Sequence, residues 1–136
     1  MTIEKISKEV PSNPDLLPEI EEFVVNAIKK LNIEEEKLNN LALSVAEAAS
    51  NSIVHGNNCD ESKKVKIDII IDDSMVTVKF KDQGSGFVLD QVPDPTEPEN
   101  ILKDHGRGIH IMKTFLDTLE YNFSDEGTEV VLKLKY

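Results

Sequence analysis

Cysteine occurs once in the 136 residues, at Cys59, and tryptophan does not occur at all. A single thiol can form no intrachain disulfide and offers no thiolate cluster for zinc or iron-sulfur ligation, which suits a reducing compartment. No hydrophobic run approaches the roughly 20 residues of a membrane span, and the opening MTIEKISKEV lacks the apolar stretch of a secretory signal. The expectation is a soluble cytoplasmic protein with no membrane partner. Positive charge is also scarce: 15 Lys and Arg face 26 Asp and Glu, for a net charge of -11. A phosphate backbone is normally met by a basic patch, so direct nucleic-acid binding is disfavoured. Arg107 is the only arginine, beside 14 lysines.

What is present is enough for one domain, expected to span 1–136. Hydrophobic residues make up 39% of the chain, and a chain of this length buries roughly two-thirds of its unfolded surface, which argues against disorder. Loose alternation over 2–10 reads as an edge strand. Asn13 can cap a helix with Pro14 at its first position, and Leu17, Ile20, Val24, Ala27, Ile28 and Leu31 follow at helical spacing. A second helical stripe runs from Leu38 through Val45, Ala49 and Ile53 and stops near Gly56. Two β runs, 65–71 and 75–80, flank Asp72-Asp73-Ser74 as a hairpin. Periodicity is lost over 82–105, where Gly84, Gly86, Pro93, Pro95 and Pro98 gather. Helical spacing resumes over 106–119, and two last β runs, 119–123 and 129–134, flank a turn.

Hairpin-joined strands with helices between them predict an α+β two-layer sandwich: a mixed, mostly antiparallel sheet covered on one face by about three helices. Three places in that frame carry polar groups of chemical interest. Glu47, Asn51 and His55 follow one another at four-residue steps, which sets them on one helix face, with Ser44 a turn earlier. Such a face is either a solvated surface or a site where Asn51 offers oxygen to a hard cation and Glu47 takes a proton. Asp82-Gln83-Gly84-Ser85-Gly86-Phe87 ends a β run: an acid able to accept from an amino group, then two glycines that allow close backbone approach, or equally an Asx-capped turn. Gly106-Arg107-Gly108 opens a helix whose amides suit an anion, or merely starts it. A P-loop is excluded by Met112 before Lys113-Thr114, and a dinucleotide fingerprint by Leu89 and Ile111 where its third glycine would fall.

Taken in order, these segments resemble the motifs of the GHKL, or histidine-kinase-like, ATPase superfamily. The run from Ser44 to Gly56, with Glu-x-x-x-Asn followed by His-Gly, resembles its N box. Asp82 to Phe87 resembles the first glycine box, Gly106-Arg107-Gly108-Ile109 the second, and Gly127-Thr128-Glu129-Val130 the threonine-bearing strand. With Met112-Lys113-Thr114-Phe115-Leu116-Asp117 after the second box, the whole is similar to the bacterial anti-sigma factor serine/threonine kinases.

That resemblance implies a Bergerat-type ATP-binding fold with ATP or ADP and Mg²⁺ as its small-molecule partners. It implies Asp82, helped by Thr128, as the adenine acceptor, Asn51 as the Mg²⁺ ligand and Glu47 as general base or hydroxyl-orienting group. Gly84, Gly86, Gly106 and Gly108 would shape an ATP lid, about 87–105, and offer amides to phosphate. A basic residue common two positions before the second box is here Asp104, leaving Lys103 or Arg107 for the phosphates. The implied protein partners are a sigma factor, an anti-anti-sigma (STAS-type) protein and a second copy in a homodimer. Two other functions stay open: a non-catalytic ATP/ADP-dependent partner switch, and a detached ATP-binding domain of a sensor histidine kinase. Residues 82–105 hold six acids and one Lys, a net of -5. An acidic segment against an anionic nucleotide raises the importance of Mg²⁺, the helix start at Gly106 and Arg107.

Overall fold

A computed structural model describes residues 3–83, 116–124 and 127–136. The chain enters as strand β1 (Glu4–Pro11). Asn13 then caps as its type and position predict: its side chain accepts from the Asp15 amide at 2.9 Å, and Pro14 starts a single 3-10 turn, Pro14–Leu16. Helix α1 (Leu17–Ile28) follows directly and buries Ile20, Val24 and Ile28, one residue per turn on one stripe. Helix α2 (Glu35–Ser50) buries Leu41, Ser44, Val45, Ala48 and Ala49, and continues as a π-helical turn, Asn51–Gly56.

Strands β2 (Lys64–Ile71) and β3 (Met75–Lys81) form the expected hairpin. Asp72 makes its turn: Oδ1 accepts from the amides of Ser74 at 2.9 Å and Met75 at 2.7 Å. Strands β4 (Thr118–Ser124) and β5 (Gly127–Lys135) pair as a second hairpin. The sheet order is β1-β2-β3-β5-β4, and every described pairing is antiparallel, without the parallel pair a mixed sheet would contain.

Period-two alternation decides which sheet face the helices cover. Val65, Ile67, Ile69 and Ile71 of β2, Val76, Val78 and Phe80 of β3, and Val130, Leu132 and Leu134 of β5 share one face and one core with Ile20, Val24, Ile28, Leu41, Val45 and Ile53. The opposite face carries Lys66, Asp68, Lys79 and Lys81. This is the expected α+β two-layer sandwich, with two α-helices among the described residues where about three were expected.

The expected helix over 106–119 lies outside the described residues as far as 115, and its last residues are a correction. Thr118 and Leu119 belong to β4, opposite Lys133 and Leu132, and the Asp117 amide already donates to the Lys133 carbonyl at 3.0 Å. Leu116 and Leu119 satisfy helical spacing and core packing alike, so apolar periodicity alone cannot tell where the ladder takes over. No helix among the described residues is long and apolar enough to cross a membrane.

Ile69 is fully buried in the middle of β2. Ile69→Ala should cost about 2–5 kcal/mol of unfolding free energy, read from urea denaturation. The amides of Ser74 and then Met75 hold the Asp72 carboxyl below its ordinary value of 3.8. A depressed folded value means that this stabilisation is complete above the unfolded value and is lost as pH falls through the folded one. Thermal melts should therefore show Asp72→Ala less stable than the native protein at neutral pH, with the difference closing in acid.

Candidate functional site

The site grows from the place where β3 ends. Core-facing positions there should be apolar by alternation, yet the residue after Phe80 and Lys81 on that face is Asp82, 2% exposed. A carboxylate removed from water needs hydrogen-bond donors. Its backbone amide donates to the Thr128 carbonyl at 2.9 Å, and the Thr128 amide returns a bond to Asp82 Oδ1 at 3.1 Å. This reciprocal pair extends the β3–β5 pairing by one residue and puts a buried acceptor at the end of a central strand.

Two glycines make room for it. A Cβ on Gly56, the last residue of the π-helical turn, would stand 2.1 Å from Asp82 Oδ2, so the helix end lies directly on the carboxylate. Gly127, with φ of +139°, occupies backbone space that side chains rarely enter, and a Cβ there would stand 1.9 Å from the Asp82 carbonyl oxygen.

Asn51 sits where α2 gives way to the π-helical turn and is 5% exposed. Oγ1 of the buried Thr128 has no hydrogen-bond partner among the described residues, and Asn51 Nδ2 has none of full geometry, lying beside the Tyr121 hydroxyl. Each such atom costs on the order of 1–3 kcal/mol unless a ligand or water meets it. Glu47, half-buried one turn before Asn51, shares its face. Tyr121 of β4 closes the group from the sheet side. Its hydroxyl is pushed up to about 12, chiefly by burial; the Asn51 amide opposes the shift and the Glu47 charge adds to it. The phenol is thus neutral at all ordinary pH, beside a carboxylate and an amide.

Of the residues singled out in the sequence, the structure brings together Asp82 and Thr128 through hydrogen bonds, and sets Glu47 and Asn51 on one turn. Gly84, Gly86, Lys103, Gly106, Arg107 and Gly108 lie outside the described residues, as does the proposed lid. His55 departs from the expected shared face: the wider π-helical turn begins at Asn51, so the four-residue step no longer applies, and His55 is exposed while Asn51 is buried. Ser44 is buried too, but its hydroxyl donates to the Asn40 carbonyl of its own helix at 3.0 Å. Sequence reasoning missed Tyr121, which carries no local signal and reaches the site only because it stands opposite Val130 in the β4–β5 register.

A buried carboxylate, an amide and a hydroxyl with unmet capacity, and two glycine contacts in place of side chains form a cradle for a polar ligand. The protein-family comparison gives that cradle a context: residues 10–134 match the family described as the histidine kinase-like ATPase domain. The chain belongs to this family. Curated relatives include the anti-sigma F factor of Clostridium perfringens strain ATCC 13124, 37% identical over 105 residues that cover 74% of each chain. The anti-sigma F factor of Geobacillus stearothermophilus is 32% identical over 114 residues, or 80% of this chain and 77% of that one. Among solved structures, the histidine kinase domain of the blue-light activated histidine kinase from Erythrobacter litoralis EL346 superposes with a TM-score of 0.59 at 18% identity. That alignment covers 91% of this chain and 60% of the other, and it bears on fold alone.

Membership of an ATPase family implies binding of ATP or ADP. The donor set fits such a ligand: a buried carboxylate suits an exocyclic amino group, and the Thr128 hydroxyl and Asn51 amide are short of partners. Gly56→Ala should displace the Asp82 carboxylate and weaken nucleotide binding about 10- to 100-fold in calorimetry, the scale of one hydrogen bond to a charged group. Its far-ultraviolet circular dichroism should stay native.

Proposed function

We propose that the protein is an anti-sigma factor of the partner-switching kind, a protein-serine/threonine kinase that binds Mg-ATP, sequesters a sigma factor and phosphorylates an anti-anti-sigma partner. The observation that carries this reading is the pairing of a nucleotide cradle at Asp82 and Thr128 with Glu47 in the last turn of α2 and Asn51 at the start of the π-helical turn. Relatives named anti-sigma F factor, matched over about three quarters of the chain, support the anti-sigma part of this reading.

In this reading Asp82 accepts the adenine amino group, and Thr128 contributes its hydroxyl directly or through water. Asn51 supplies a side-chain oxygen to Mg²⁺, which when bound offsets the charge of the triphosphate oxygens. Among the described residues no cluster of three or more His, Cys, Asp or Glu could hold a metal ion. Glu47 takes the proton of the attacking serine or threonine hydroxyl as the new oxygen–phosphorus bond forms and the bond to the β-phosphate oxygen breaks, releasing ADP. Gly84, Gly86, Gly106 and Gly108 give backbone amides to phosphate, and Lys103 or Arg107 supplies the positive charge. Residues 1–136 then act as one ATPase domain, with 87–105 as its lid, working in the cytoplasm as a homodimer.

Incubation with radiolabelled ATP, Mg²⁺ and a cognate anti-anti-sigma protein should label a serine or threonine of that partner. Glu47→Gln should lower the transfer rate about 10²–10⁴-fold with nucleotide binding retained. Asp82→Asn and Asn51→Ala should weaken nucleotide binding in calorimetry. Labelling undiminished in Glu47→Gln would remove that residue as the base. Tight ADP binding with no transfer would replace the kinase by a nucleotide-gated switch.

A further inference from the structure

The residue that follows the π-helical turn, Asn57, is completely buried, and both ends of its side-chain amide are engaged. Nδ2 donates to Ser12 Oγ at 2.7 Å and to the Lys64 carbonyl at 3.2 Å, while Oδ1 accepts from the Gln83 backbone amide at 2.7 Å. A carbonyl on one side and an N–H on the other leave only this orientation of the amide. The network continues outward. Ser12 Oγ donates to the Lys63 carbonyl at 2.7 Å, and Gln83 Oε1 accepts from the Lys64 amide at 2.6 Å. One side chain thus ties together the residue after β1, the first residue of β2 and the second residue beyond β3.

The place of this knot gives it a consequence. Ladder pairing of β3 with both neighbours stops at Lys81, opposite Lys66 and Glu129. Beyond it Asp82 is held by Thr128, and the next backbone amide, that of Gln83, is held by Asn57. The direction in which the chain leaves the sheet therefore depends on a side chain rather than on strand pairing. Gly127 packs close on the other side, where an added Cβ would stand 3.1 Å from Gln83 Cα. A shift of Gln83 must move Asp82, the adjoining residue, against Gly56.

We infer that Asn57 is a positioning residue for the nucleotide site, holding Asp82 in its accepting geometry through Gln83 and linking that geometry to the amino-terminal strand through Ser12. Asparagine suits the task because it alone among side chains of its size offers a donor pair and an acceptor on opposite edges. Aspartate would set an oxygen against the Lys64 carbonyl and bury a charge; alanine would orphan the Gln83 amide.

The inference rests on the nucleotide reading of the site, and its test separates the two. ADP binding with Mg²⁺ is measured by calorimetry, well below each protein's melting temperature, for the native protein, Asn57→Ala, Ser12→Ala and the double variant. Protection of the Gln83 amide is followed by hydrogen exchange without ligand. Asn57→Ala should weaken ADP binding about ten-fold or more and expose the Gln83 amide to exchange. Ser12→Ala should weaken binding about three-fold, and the double variant should bind no more weakly than Asn57→Ala, because Ser12 acts through Asn57. A merely structural amide would lower the melting temperature and leave affinity in the folded protein unchanged, and that result overturns the inference while leaving the site intact. Native protein that binds no ADP overturns the nucleotide reading and the inference with it. Should Asn57→Ala fail to fold, Ser12→Ala decides: unchanged affinity and unchanged Gln83 protection overturn the proposal, and loss of both sustains it.

Discussion

Placing Asp82 out of water at the end of β3 is the constraint from which the neighbouring structure follows. A carboxylate in that position is tolerable only with donors at hand, and the Thr128 amide is one of them, which fixes where β5 must begin. The same closeness forbids a side chain at residue 127 and at residue 56, because both would occupy the space of Asp82 itself. The helix layer and the sheet layer are therefore locked together at a polar contact as well as through the apolar core. That lock is at one end of the sandwich, away from the turn at Asp72.

Stability and binding pull in different directions at that end. The core around Ile53, Ile67, Ile69 and Phe80 is fully buried and apolar, and it supplies the packing that lets a few polar groups stand with unmet capacity nearby. Among the described residues Asn51 Nδ2 and Thr128 Oγ1 are short of partners, and a ligand that meets them adds to stability. The π-helical turn contributes to the arrangement. It starts at Asn51 and ends at Gly56, so one irregular turn holds both the amide and the glycine contact with Asp82. The neutral Tyr121 hydroxyl beside Glu47 and Asn51 adds a group that changes no charge there at ordinary pH.

Much of the fold was legible because its signals are local. Asn13 before Pro14 marked a helix start, the turn at Asp72 marked a hairpin, and alternation over β2 and β3 named the buried face before any neighbour was known. Misreadings arose where two local patterns coincide. Leu116 and Leu119 fit a helix by spacing, yet strand pairing with β5 claims Thr118 and Leu119. His55 fits the face of Glu47 and Asn51 only if the helix keeps its ordinary turn, and it does not.

The sequence by itself determined the two-layer class, the order of the described elements and the candidacy of Glu47, Asn51, Asp82 and Thr128, since periodicity and motif spacing are properties of neighbouring residues in the chain. Only the tertiary structure decided that Asp82 is buried against Gly56, that Tyr121 reaches the N-box face and that Asn57 joins three strand ends. Those contacts span from 7 to 74 residues of chain, and no pattern read along the backbone carries the register that brings them together. Register is decided by whole faces packing at once, as β2, β3 and β5 each turn their apolar side to the helices.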